Sequence, residues 1–355
     1  MSIPIPRRHR RALAASAGFL ALALLGGCGG DGPVSGGSGG GGGIITPPPS
    51  PTPAPTPAPT PAPTPSPTPT PPTSWAAGAA ALYDAPPDLA ACNPGTLKAS
   101  IRQEFLARLN ALRALHGLTP VAYSSAENAE VDQASLMMAA NRQLSHTPPA
   151  SWLCYSDTGA RGAASSNLIG GWGNGLPWSS EDDNLAGWMT ERYSASIGHR
   201  RWILDPFLAR VSYGRVAQQS ANGMRSDAAT LKVFNFAVTS PPPASVPAFV
   251  AYPQGDYPAR YFGPGDILSF SAVVSSTSRS ANAAVDFSAA TVRVSDANGD
   301  LTVTEQSADN IGYGLPNNLQ WKVTGLQSNV RYTVRITGVR GTPTGSYEYM
   351  FRIVP

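Results

Sequence analysis

Gly198-His199-Arg200-Arg201-Trp202-Ile203-Leu204-Asp205-Pro206 is the stretch around which the chain can be read outward. A predicted helix precedes it, from Ser180 to about Tyr193. Glu181, Asp182 and Asp183 fill its first turn, where acids complement the positive end of the helix dipole. Two runs of β character follow, Arg210–Val216 and Leu231–Ala237.

Two further helices are predicted upstream. Ser100-Ile-Arg-Gln103 has the form of a capping box. Ile101, Phe105, Leu109, Leu112 and Leu115 follow at helical spacing, and Gly117 and Pro120 suit its end. A second box, Ser124-Ser-Ala-Glu127, opens a stripe of Ala126, Ala129, Ala134, Met137, Met138 and Leu144. That stripe reads as packing and ends at Ser145-His146-Thr147-Pro148.

Five stretches then occur in a fixed order: Leu109-Asn110-Ala-Leu-Arg113, Gly117-Leu118-Thr-Pro120, Leu144-Ser145-His146, Gly187-Trp188-Met189, and Gly198-His199-Arg200 with Ile203-Leu204. Together they resemble the CAP superfamily (cysteine-rich secretory proteins, antigen 5 and plant pathogenesis-related proteins), in its bacterial SCP-like extracellular branch. The resemblance covers about residues 98–240. It implies an α-β-α sandwich, an antiparallel sheet between helical layers.

The resemblance also implies a cleft built from two His and two Glu, which in some members surrounds zinc. His146 and His199 fall on the His positions, and Glu191 in Trp188-Met-Thr-Glu191 falls on one acid position. The other acid position matches Ser165-Ser166-Asn167-Leu168, so Ser166 stands where Glu would. A hydroxyl is a poor divalent-metal ligand beside a carboxylate. His146, His199 and Glu191 could still hold zinc with a water in the fourth place. The alternative is that both imidazoles are hydrogen-bonded residues holding a loop. His146, Glu191 and His199 are the catalytic candidates, and none is assigned. A Ser166/His/Glu191 hydrolase lacks a Gly-x-Ser-x-Gly elbow. Gly171-Trp-Gly-Asn-Gly175 reads as a loop, and Asp296-Ala-Asn-Gly-Asp300 lacks the glycine that a calcium loop needs at its sixth position.

The composition divides the chain. It has 355 residues with 36 Gly and 36 Pro, 42% hydrophobic and 13% charged. Twelve Gly lie between Gly26 and Gly43, and fifteen Pro between Pro47 and Pro72. The net charge of +3 comes from Arg7, Arg8, Arg10 and Arg11. From residue 28 onward 21 basic side chains face 22 acidic ones, which argues against nucleic acid as a partner.

Residues 1–27 read as a signal peptide. A basic start precedes the apolar run Ala12–Leu25, whose length as a helix is about 21 Å, too short for a bilayer. Leu25-Gly26-Gly27-Cys28 resembles a bacterial lipobox, so Cys28 is the expected lipidation site and membrane anchor. Gly29 after it resembles an outer-membrane or cell-surface destination. Residues 28–73 read as a tether. Its Pro-Thr-Pro-Ala repeat favours polyproline II, about 80 Å over residues 47–72. Cys92 and Cys154 remain. An exported chain with an even pair is expected to form a Cys92–Cys154 disulfide; two free buried thiols are the alternative.

Pro241-Pro-Pro243 marks a boundary. Beyond it the period changes to two. Strands are predicted at Ile267–Val274, Thr291–Ser295, Leu301–Glu305, Gln320–Thr324, Arg331–Thr337 and Glu348–Val354, with a hairpin turn at Asn298-Gly299. Trp321 and Tyr332 are core anchors. Tyr347, Tyr349 and Phe351 share one strand face, read as packing or as a carbohydrate-binding strip.

The expected fold class is therefore α+β: a CAP sandwich over 74–240 and an all-β immunoglobulin-like sandwich over 241–355, long enough together for two separate cores. The expected function is a membrane-anchored binding module for a lipid-like or small ligand, a glycan or a protein partner. A metal-assisted hydrolase is the alternative, with zinc as its cofactor.

Overall fold

The structure is a computed structural model and describes residues 72–192, 194, 196–236 and 245–355. The signal peptide, Cys28, all but the last two residues of the tether, and Pro241–Pro243 lie outside the described residues.

The first region opens with α1 (Trp75–Ala81), capped by the Ser74 side chain, and a small ribbon of β1 (Tyr83–Ala85) and β2 (Thr96–Leu97). Helix α2 (Ala99–Ala114) starts before Ser100, so the box predicted there does not form. It buries Phe105, Leu109 and Leu112, while Leu115 is exposed. Gly117 then takes φ +64, which the turn needs.

After β3 (Ala122–Tyr123), the Ser124 hydroxyl bonds the Glu127 carboxylate instead of a backbone N–H. The first turn is consequently 3₁₀, and α3 proper runs Asn128–Asn141. Then come α4 (Asp157–Ala164), β4 (Ser166–Gly173), α5 (Glu181–Thr190), α6 (Gly198–Ile203), β5 (Arg210–Gln219) and β6 (Arg225–Lys232). Of the predicted loop Gly171–Gly175, the first three residues are thus strand, and the turn is confined to Asn174 and Gly175. The last strand starts and ends earlier than Leu231–Ala237, and Ala237 lies outside the described residues.

The sheet order is β3-β5-β6-β4, antiparallel except for the parallel β3–β5 pair. Side chains alternate across it. On one face Phe105 of α2 stacks on Tyr213, ring centres 4.0 Å apart, and Arg215 meets Glu181 of α5 at 2.7 Å. On the other, Ser135 of α3 bonds Thr230 at 2.9 Å, and a Cβ on Gly214 would sit 2.6 Å from the Val131 carbonyl carbon. Helices therefore cover both faces of the sheet.

The second region is all β. One sheet has the order β12 (Val303–Asp309), β13 (Asn318–Val323), β9 (Leu268–Ala272), β7 (Phe249–Tyr252). The other has β11 (Gly299–Leu301), β10 (Thr291–Asp296), β14 (Arg331–Thr337), β15 (Ser346–Val354), β8 (Gly255–Pro258). The β10–β11 hairpin pairs Asp296 with Gly299, so its loop is Ala297-Asn298, one residue earlier than predicted.

Phe249 and Phe270 of the first sheet meet Tyr347 and Tyr349 of the second. That contact makes a sandwich and uses the aromatic strip for packing. Trp321 and Tyr332 are fully buried, as expected of anchors. The two regions do not keep separate cores. One apolar cluster runs from Trp75 to Ile353, and the described residues belong to one compact unit.

Candidate functional site

Helix α5 begins with Ser180, whose hydroxyl accepts from the Asp183 N–H while the Asp183 carboxylate accepts from the Ser180 N–H. Its acids are engaged as partners: Glu181 with Arg215, and Asp182 and Asp183 with Arg260. The helix ends at Glu191, in the left-handed region at φ +55. That turn sends the Glu191 carboxylate inward, where its side chain is 1% exposed.

Both carboxylate oxygens are then occupied. Oε2 lies 2.7 Å from His199 Nδ1, and Oε1 accepts the Arg200 backbone N–H at 3.0 Å. His199 is the second residue of α6, and its carbonyl accepts from Asn167 of β4 at 3.0 Å. A carboxylate can only accept, so the pair orients the imidazole with Nδ1–H on the acid.

His146 lies on the exposed loop after α3. Its Nδ1 donates to the Ala163 carbonyl of α4 at 2.9 Å. Among the described residues no hydrogen bond or ion pair joins it to His199 or Glu191. The Cys92–Cys154 disulfide, with a Cα separation of 5.1 Å, fastens the far end of that loop to the segment before β2. Ser166 is the first residue of β4, paired in register with Lys232. Its hydroxyl is buried and makes no hydrogen bond, so it is not primed by an imidazole.

Zinc can be tested against this arrangement, and the donor set does not fit it. A catalytic zinc needs three protein donors. Glu191 spends both oxygens inside the chain, as a residue that orients an imidazole does. Ser166 supplies no carboxylate. Among the described residues no three His, Cys, Asp or Glu side chains are placed to hold a metal ion. Of the expected set, Glu191 and His199 are brought together at 2.7 Å, and His146 is bonded elsewhere, to the Ala163 carbonyl.

The Leu109-Asn110-Ala-Leu-Arg113 stretch serves the frame. Asn110 clamps Val121, donating to its carbonyl at 3.0 Å and accepting its N–H at 2.8 Å. Arg113, fully buried, donates to the carbonyls of Thr119, Ile203 and Asp205. It thereby ties α2 to the end of α6. Burial pushes its pKa down to about 10, against the pull of Asp205.

Residues 106–236 match the family model of the cysteine-rich secretory protein family, CAP. This part of the chain is a CAP domain. The comparison with curated proteins gives no match. CAP domains are extracellular modules as a class, and the disulfide agrees with an oxidising compartment. Among the described residues no helix is long and apolar enough to cross a membrane.

Two features of the CAP domain were not read from the sequence. His116, at the end of α2, is buried against the β-sandwich. Its Nδ1 lies 2.9 Å from the Ala251 carbonyl and its Nε2 3.0 Å from the Tyr257 hydroxyl. Burial pushes its pKa down to about 3, and Arg113 and Arg200 add to that. No local pattern could have shown this, because the partners are 135 and 141 residues away.

The second feature is a cleft of about 120 Å³ at the end of α6, lined by Trp202, Phe207, Phe234, Phe236, Arg210 and Arg279. Trp202 stacks on Phe234 at 4.7 Å, and the Arg279 guanidinium lies 4.8 Å from the Trp202 ring centre. Aromatic rings share its lining with Asp205 and two arginines.

Proposed function

We propose that the chain is a membrane-anchored extracytoplasmic binding module. Cys28 carries the lipid, residues 28–73 hold the folded part away from the bilayer, and the CAP domain with its β-sandwich engages a lipid-like or small ligand or a surface partner. We read the sandwich as immunoglobulin-like. One observation carries the binding reading over the hydrolase: the Glu191 carboxylate is consumed by His199 and Arg200. The Ser166 hydroxyl makes no hydrogen bond to an imidazole among the described residues. The aromatic cleft beside α6 gives a small ligand a place to bind.

The test is a native mass spectrum of the full chain, exported and purified without chelator. A co-purified mass of lipid or metabolite size supports the reading, and its loss in Phe234→Ser places it in the cleft. One zinc per chain, absent in His199→Ala, together with hydrolysis of peptide or ester pools that both His146→Ala and His199→Ala abolish, overturns it.

A further inference from the structure

The CAP domain and the β-sandwich meet through arginines. Arg192 pairs with Asp266 at 2.8 Å, Arg201 with Asp309 at 2.8 Å, and Arg279 with Asp205 at 3.0 Å. Arg200 differs from these three. It is 0% exposed. Its Nη1 donates to the Met189 carbonyl at 3.0 Å, and its guanidinium lies 3.9 Å from the Tyr252 ring centre. Its Nε and Nη2 are buried and make no hydrogen bond, and the same is true of Arg201 Nε. Among the described residues no carboxylate stands within ion-pair distance of Arg200.

A guanidinium cannot shed its proton to escape burial. A buried charge without a partner is costly, and so is each unmade hydrogen bond. The Tyr252 ring face offsets part of the charge. It leaves the Nε and Nη2 donors unanswered.

Arg200 and Arg201 also border a cavity. Arg200 and Arg201 of α6 form one side; Tyr252, Ser269 and Ser271 of the β-sandwich form the other, with apolar walls such as Leu204. The cavity volume is about 20 Å³. That is room for about one solvent-sized particle. A phosphate or an organic acid is too large. A water could accept the hydrogen bonds but would leave the charge. A monatomic anion answers both.

We propose that a halide ion, chloride in the protein's surroundings, binds in this cavity between Arg200 and the serines and neutralises Arg200. The ion then bridges the CAP domain and the sandwich. It also lies close to the cleft, because the Arg200 N–H holds Glu191 and Glu191 holds His199. This site does not depend on whether the cleft takes a ligand.

The test uses the full chain. Thermal unfolding is followed at one pH and one ionic strength in sodium chloride, sodium bromide and sodium gluconate, whose anion is too large to enter. Binding to the native state alone raises the midpoint with ion concentration. The expected result is a midpoint several degrees higher in chloride and bromide than in gluconate, with the difference lost in Arg200→Met. Crystals grown in bromide are expected to show an anomalous peak within hydrogen-bond distance of Arg200 Nε or Nη2. This second reading stands even if the variant does not fold. Equal midpoints in all three salts, a difference that survives in Arg200→Met, or a cavity peak without anomalous signal would each overturn the site.

Discussion

Glu191 Oε2 and His199 Nδ1 lie 2.7 Å apart, with the acid in a left-handed turn and the imidazole on the second residue of the next helix. The other acid oxygen takes the Arg200 N–H. Removing the acid strands a buried backbone donor and a half-buried imidazole N–H. Glu191→Ala is expected to lower stability by about 2–4 kcal/mol in urea unfolding, the range for leaving buried polar partners unsatisfied. A loss below about 0.5 kcal/mol would mean that the acid is not a structural clamp.

His116 makes stability depend on pH. Its folded pKa is pushed down to about 3 from an ordinary value near 6.5. The folded state therefore binds fewer protons than the unfolded chain between those values. The contribution is complete above the unfolded pKa and is lost as pH falls below it, by about 1.4 kcal/mol per unit. Arg113 and Arg200 face the ring and oppose its charging; Tyr252 and Tyr257 flank it. Asp132 and Asp205, both raised by burial, act in the opposite sense, so the comparison must isolate His116. Wild type is expected to lose about 2 kcal/mol more than His116→Gln between pH 7.5 and pH 5. Parallel pH profiles would refute the assignment.

The Cys92–Cys154 bridge closes a loop with a sequence separation of 62. In the loop-entropy model it contributes about 4 kcal/mol. The double substitution Cys92→Ala, Cys154→Ala is expected to lower the unfolding free energy by about that amount, and a reductant should have the same effect on wild type. A non-reducing peptide map without the linked pair would contradict the bridge.

Lipidation at Cys28 predicts a membrane-fractionating chain that incorporates labelled fatty acid. Cys28→Ser is expected to lose the label and to leave the membrane fraction. Label retained in that variant would exclude the anchor.

The sequence made legible whatever depends on neighbours along the chain. Phe105, Leu109 and Leu112 lie on the buried face that their spacing requires, and Ser180 with Asp183 forms a complete capping box. Arg331–Thr337 is a strand with its predicted bounds. What escaped depends on partners far away. Arg225–Lys232 reads as polar, yet seven of its eight residues are buried. The reason is that Asp227 meets Arg215 and Lys232 meets Glu130. The 3₁₀ start before α3 turns on a side-chain choice, in which the Ser124 hydroxyl takes a carboxylate in place of a backbone N–H. At the cleft, the motif residues were identifiable but their roles were not. Whether Glu191 offers an oxygen to a metal or spends both on its neighbours is decided by the turn at residue 191.

We propose that the CAP cleft is built to bind and not to hold a catalytic metal. The most direct measurement is the zinc content of the full chain after equilibration with micromolar zinc and removal of the excess, beside His146→Ala and His199→Ala. The account predicts well under one zinc per chain, unchanged in both variants. One tightly held zinc per chain, lost in either variant, would contradict it.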